Sequence, residues 1–256
     1  MTKRVRLMAF AAAFAAMTGG AASAEGPGIT ASLGFGGQVM PDYFGADSYR
    51  VRPLGFGQLH ELEIGPIARP DTGPREGFGF RGAFRISHAR LAEDNAELVG
   101  LEDVPFSVEL GGGVGYATEA WRVFGDVRYG VIGHNTFVGE IGGDVIFRPS
   151  DSTTITLGPR VQIASDDYAQ TYFGITAAEA AASVSGFGAY DAEGGVTYAG
   201  LQLNIIHALN DDWSVRGRLE LGELQGSAAD SPIVQNGDTF QARAGVTLVR
   251  RFTLGF

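Results

Sequence analysis

Residues 120–148 alternate apolar and polar positions with a period of two, twice over, across a hairpin. In the first run Trp121, Val123, Val127 and Tyr129 share one face with Gly125, and Arg122, Asp126 and Arg128 share the other with Phe124. In the second run Phe137, Ile141, Val145 and Phe147 oppose Glu140, Asp144 and Arg148. Successive side chains of a strand point to opposite sides, so each run predicts a strand with one apolar and one charged face.

The pattern recurs along the chain. Phe78, Phe80, Phe84 and Ile86 alternate with Arg81 and Arg85, and Phe106, Val108, Leu110, Val114 and Tyr116 with Ser107, Glu109 and glycines. Ile155, Leu157, Val161 and Ile163 alternate with Thr154, Thr156, Arg160 and Gln162. Leu201, Leu203 and Ile205 alternate with Gln202 and Asn204. Trp213, Val215, Leu219 and Leu221 alternate with Arg216, Arg218 and Glu220. Phe240, Val246, Leu248 and Phe252 alternate with Gln241, Arg243, Thr247 and Arg251. Two earlier runs, near 29–40 and 48–59, are less regular. Their connections fall into two lengths: tight polar turns at 118–119, 149–152 and 210–212, and long segments at 89–104, 165–192 and 226–238. The two lengths alternate, as they do in a bacterial barrel with short periplasmic turns and longer outer loops.

The amino terminus changes the picture. Lys3, Arg4 and Arg6 precede an apolar stretch from Leu7 to Met17, then Ala22-Ser23-Ala24. This is the pattern of a secretory signal peptide cut after Ala24. The apolar run is shorter than the ~20 residues of a spanning helix. Residues 1–24 are therefore expected to be a signal peptide and residues 25–256 one β domain. There is no cysteine, so neither disulfides nor a thiolate metal site is available. The formal charge of −10 argues against nucleic acid, which needs a basic footprint. The expected fold is all-β, an antiparallel transmembrane β-barrel of about 10–12 strands with a short helix in one long loop. An exported soluble β sandwich, with the apolar faces inward, is the alternative.

If lipid lies outside, the charged face lines the lumen. By parity that face carries Arg81, Arg85, Arg122, Arg128, Arg148, Arg160, Arg216, Arg218, Arg243 and Arg251, against Asp126, Glu140, Asp144 and Glu220. A narrow bore filled this way predicts a plug of ion pairs and water, since buried charge demands partners. A route or pocket for anions is the competing reading.

Segment 165–192 looks least like a strand. Thr176 with Glu179 three residues on, ahead of an alanine run, predicts a capped short helix. Asp166-Asp167 is read as a solvated loop pair, with divalent-cation binding beside anionic lipid as the lesser option. Catalysis finds little support. Of four histidines, His88 and His207 follow the lipid face near strand ends, His134 lies in a turn, and none, His60 included, converges with a serine and an acid. The run Gly111–Gly115 sits inside a strand with no helix after it, so it is no phosphate loop. No catalytic residue, cofactor or metal is implied.

Several loops carry a family likeness. Pro41-Asp42-Tyr43-Phe44-Gly45-Ala46-Asp47-Ser48-Tyr49-Arg50 leads into Arg52-Pro53-Leu54, and Asp94-Asn95-Ala96 and Gly100-Leu101-Glu102-Asp103-Val104 follow. Then come Asp166, Asp167, Tyr168, Gln170, Thr171, Tyr172, Phe173 and Gly174, Ser185-Gly186-Phe187 with Tyr190-Asp191, and Ala229-Asp230-Ser231-Pro232-Ile233-Val234. In that order they resemble the MipA/OmpV family of outer-membrane proteins over nearly all of the mature chain. The match departs from the family near 55–76 and after Phe252. The resemblance implies a non-enzymatic barrel in the Gram-negative outer membrane, in contact with its lipid and lipopolysaccharide. It further implies a scaffold joining a murein lytic transglycosylase to a penicillin-binding protein. Other members are treated as porin-like or adhesive, which keeps a narrow anion-preferring channel as the alternative, with an envelope enzyme a distant third.

Overall fold

The computed structural model describes residues 28–64, 67–69 and 76–255. The expected signal peptide and its cleavage site lie outside them, as does the side chain of His60. The described chain is one antiparallel sheet of eleven strands. In chain order these are β1 (Gly28–Pro41), β2 (Tyr49–Ile64), β3 (Ile67–Arg69), β4 (Gly77–Ser87), β5 (Ser107–Ala117) and β6 (Trp121–Ile132). Then come β7 (Phe137–Ser150), β8 (Thr153–Ala164), β9 (Gly195–Ala208), β10 (Trp213–Leu224) and β11 (Phe240–Gly255). The strand order is β3-β2-β1-β11-β10-β9-β8-β7-β6-β5-β4, so every neighbour is a hairpin partner except β1 and β11, which join the two ends of the chain. β3 is three residues long, which leaves ten long strands. The expected strand count holds, and the irregular stretch lies where the sequence pattern was weakest.

The sheet curls into a barrel of the outer-membrane type with its apolar side out. Phe80 is 85% exposed, Val51 73%, Val127 56% and Ile141 55%. In water such a belt would be far larger than the apolar patches soluble monomers tolerate. Aromatic pairs mark both rims of the belt. Tyr116 and Trp121 meet at the turn end, ring centroids 5.6 Å apart, and Tyr129 and Phe137 at the loop end, 4.8 Å apart. Such girdles belong at the two membrane interfaces. The opposite parity is buried and polar: Glu109, Asp126, Arg128, Asp144, Thr156, Arg160, Gln162, Gln202, Glu220 and Thr247 all face inward.

Among the described residues no ladder joins β3 or β2 to β4. At the loop end the two sides of this seam are nonetheless tied. Arg50 Nη1 reaches Asp94 Oδ2 at 3.2 Å, and Tyr43 Oη donates to Glu97 Oε1 at 2.9 Å.

The long loops carry the helices. α1 (Asp166–Phe173) and α2 (Ala177–Ala182) follow β8, and α3 (Gly226–Asp230) and α4 (Pro232–Gln235) follow β10. α2 is the helix expected behind Thr176, and its capping box is complete: Thr176 Oγ1 accepts from Glu179 N at 3.2 Å and Glu179 Oε2 accepts from Thr176 N at 2.8 Å. α1 was not expected. Ser165 caps it by accepting from Tyr168 N, and Asp166 and Asp167 place negative charge on its first turn, where the helix dipole favours it. The two aspartates are thus helix-start residues rather than loop residues, and both remain exposed to solvent as expected.

Candidate functional site

All the long loops leave the same end of the barrel and pack over its mouth. One apolar cluster joins Tyr168, Tyr172 and Phe173 of α1 to Val104, Val138, Tyr198, Leu224 and Val234. A second joins Tyr43, Leu98, Leu101, Ile175, Phe187 and Ile233. Phe44 packs edge-on against Tyr172, ring centroids 5.3 Å apart. Polar bonds lock the layers together. Ser231 Oγ donates to the Phe173 carbonyl at 2.6 Å, Arg90 Nη1 to the Tyr172 carbonyl at 2.9 Å, and Glu179 Oε1 accepts from Glu102 N at 2.9 Å. Gly45 and Gly100 sit at positive φ, 92° and 100°, where a Cβ would run into Val234 and Ala182. These two glycines allow the loops to meet that closely.

The electrostatics of the cap follow from this packing. Burial raises the phenol pKa values of Tyr168 and Tyr172, and burial with the Glu97 bond raises that of Tyr43. Burial pushes Glu179 up, but the N–H groups of Glu102 and Thr176 outweigh it and hold the carboxyl below its usual value. His88 does not follow the lipid face as expected. The strand ends at Ser87, and beyond it the imidazole is partly buried and feels Arg52 and Arg243, so burial and like charge both lower its pKa.

Beneath the cap lies a layer of ion pairs. Glu109 is fully buried and accepts from Arg128 Nε at 3.0 Å and Ser87 Oγ at 3.1 Å, with His134 Nε2 at 3.4 Å. Arg128 also holds Asp126, whose other oxygen lies 3.6 Å from Arg81. Glu140 meets Arg85 at 2.9 Å and Arg160 at 3.7 Å. Asp144 binds Arg160 at 2.7 Å and Arg122 at 2.6 Å. On the far wall Glu220 binds Arg218 at 2.6 Å and Arg243 at 4.0 Å. Phe124 is stacked between Arg81 and Arg160, 3.7 and 5.1 Å from its ring centroid. Between Arg85, Glu140, Arg160, Gln162, Tyr198 and Glu220 a void of about 10 Å³ remains, room for no more than one water.

A family model described as "MltA-interacting protein MipA" matches residues 33–252. The chain belongs to the MipA family. No curated protein matches it. Among solved structures the MipA-family barrel is similar to an outer membrane channel from Pseudomonas putida F1, at 13% identity and a TM-score of 0.45, over 91% of this chain and 97% of that one. It is also similar to the translocator domain of an autotransporter from Neisseria meningitidis, at 14% identity and a TM-score of 0.39, over 96% and 94%. A toluene transporter from Pseudomonas putida gives 9% identity and a TM-score of 0.32 over 91% and 90%. These likenesses carry nothing about what the MipA-family chain does.

The structure brings most of the sequence-derived lumen residues together. Arg122, Asp126, Arg128, Glu140, Asp144 and Arg160 form one connected network, and Arg218 with Glu220 a second. Arg216 joins neither and lies flat over Phe56, 4.0 Å from the ring centroid. Of the loop residues, Tyr168, Tyr172, Phe173 and Gly174 are buried in the cap. Asp166 Oδ1 accepts from Gly194 N at 2.8 Å, Gln170 Oε1 from Ala192 N at 2.9 Å, and Thr171 Oγ1 bonds back to the Asp167 carbonyl at 2.7 Å. These are structural uses. Two network members were missed. Glu109 has the inward parity of Ser107 but was not counted with the inward acids. His134 was placed in a turn, yet it is buried, with Nδ1 2.7 Å from Thr136 Oγ1 and its ring edge-on to Tyr168 at 5.3 Å.

Proposed function

We propose that the protein is a non-enzymatic, non-conducting barrel of the Gram-negative outer membrane that serves as a scaffold for murein-active enzymes on its periplasmic side. It is exported by a cleaved signal peptide and seated in lipid and lipopolysaccharide. The observation that carries the non-conducting part is the closed outer end. A packed aromatic cap stands on a layer in which Arg128, Arg160, Glu109 and Asp144 are almost wholly buried. The void framed by Arg85, Glu140, Arg160, Gln162, Tyr198 and Glu220 has room for about one water, which supports a barrel closed to ions at that level. The scaffold part follows from family membership, whose description names an interaction with MltA; the expected partners are a murein lytic transglycosylase and a penicillin-binding protein.

Two measurements test this. Purified barrel in planar bilayers is expected to give no steady current, and reversible cross-linking in envelopes is expected to recover murein-active enzymes. Steady anion-selective current would overturn the closed barrel in favour of the anion-preferring channel, which the excess of inward arginine would then explain. Recovery of the protein from soluble periplasm without detergent would overturn the membrane placement.

A further inference from the structure

Within the ion-pair layer itself the arginines differ in how open they are. Arg81, Arg122 and Arg218 point into the lumen yet keep 39%, 45% and 49% of their side-chain surface open, whereas Arg128 and Arg160 keep 4%. A side chain that faces into a barrel and stays this accessible borders a water-filled space. Arg216 projects from the same face of β10, and no carboxylate among the described residues lies within ion-pair distance of it. Arg216 and Arg81 are held by their flat faces against Phe56 and Phe124. Stacking of that kind fixes a guanidinium in place, and the Nε of Arg216 is buried there without a hydrogen-bond partner.

The carboxylates already present do not neutralise this space, because each is shared. Asp144 serves Arg122 and Arg160, Asp126 serves Arg81 and Arg128, and Glu220 serves Arg218 and Arg243. The space is closed on the outer side by the cap and the ion-pair layer. On the other side the described connections between long strands are the short turns at 118–120, 151–152 and 209–212.

We infer that the turn-side half of the lumen is a blind-ended pocket for a polycarboxylate anion admitted from the periplasm and held by Arg81, Arg122, Arg216 and Arg218. The inference rests on the closed outer end proposed above and is independent of the scaffold role. The recognised chemistry, several carboxylates within reach of forked guanidinium donors, is shared by a free small polycarboxylate and by the acidic end of a peptide chain.

Titration calorimetry with citrate and with hexaglutamate, on barrel purified in uncharged detergent at low salt, tests the pocket and separates the two sources. Citrate alone binding assigns a free small anion, and hexaglutamate binding assigns a chain end. Either is expected to weaken about tenfold for each arginine removed in Arg122→Gln with Arg216→Gln, since each loses a charge-assisted bond. Asp144 keeps Arg160 in that variant, and Arg216→Gln alone, which breaks no described ion pair, carries the test if the double variant fails to fold. Binding by neither ligand, or equal binding by wild type and variants, overturns the pocket. Conductance of the same preparation reads the outer end separately. A steady current overturns the closed end whatever the titration gives, while silence without binding overturns the pocket alone.

Discussion

Arg128 and Arg122 sit on one strand and one face, and they live in different media. Arg128 is held between Glu109 and Asp126 with almost no accessible surface; Arg122 grips Asp144 with nearly half its surface in contact with solvent. The same residue type at the same parity is structural cement near the loops and a water-facing charge near the turns. What differs is the neighbourhood above. The loop end is covered by a packed aromatic cap that excludes water, and ion pairs below it must satisfy one another. The turn end has no such cover among the described residues. Alternation in a barrel therefore tells which way a residue points, and the loops decide what it meets there.

The largest expected effect breaks this comparison directly. Arg128→Ala removes the arginine paired with fully buried Glu109 and leaves Asp126 only its longer contact with Arg81, and is expected to cost about 3–5 kcal/mol, whereas Arg122→Ala leaves Asp144 with Arg160 and is expected to cost under about 1 kcal/mol. Urea unfolding from lipid vesicles compares the two, and equal losses would mean that the two halves are equally wet. Next in size is the contrast between faces. Val123→Arg places charge on the lipid side of the residue beside Arg122, between the Trp121 rim and the midplane, and is expected to cost about 1–3 kcal/mol, read as lost heat-modifiability and folding yield. A Val123→Arg barrel that assembles as well as Arg122→Ala would invert the assignment of inside and outside.

Smaller effects probe the cap. Thr176→Ala removes the capping box of α2 and is expected to loosen that loop by about 1 kcal/mol, seen as faster amide exchange in 177–182 with the strands unchanged. Protection unchanged in α2 would show that packing alone holds it. The smallest effect at neutral pH appears only in alkali. Burial raises the Tyr168 and Tyr172 phenols above their unfolded value near ~10, so their contribution is complete below pH ~10 and is lost as the pH rises past it toward the folded values. Tyrosinate absorbance and protease nicking of the loops should therefore rise together above pH ~10. Phenols that ionise at their ordinary value with the cap intact would show that α1 does not seal the mouth.

The strands were legible because a period of two is a local signal, repeated at almost every strand. The lumen network was legible for the same reason, down to Asp126, Arg128, Glu140, Asp144 and Arg160. What the pattern could not show was which charges meet. His134 reaches Glu109 only because the β6–β7 turn folds back over β5, a contact of the third dimension. The helix α1 was legible only faintly, because its apolar face is a single short one, Tyr168 and Ala169 with Tyr172 and Phe173 four residues on; that spacing and Ser165 ahead of two aspartates were the available signals. The stretch after Gly57 lacks clean alternation, and there the ladder is interrupted.

The pairing of β1 with β11 sets the order in which this molecule can come to exist. Gly28 lies opposite Gly255 and Val39 opposite Ala244, so the first strand made waits for the last. Every other main ladder between β4 and β11 joins consecutive strands and can form from a nearby turn, at a small loop-closure cost. β1 can pair early with β2, but its other edge stays open until β11 is present. A contact this distant in sequence slows folding. Loss of the final strand by truncation would leave β1 and β10 as raw edges facing lipid, a state the bilayer does not accommodate.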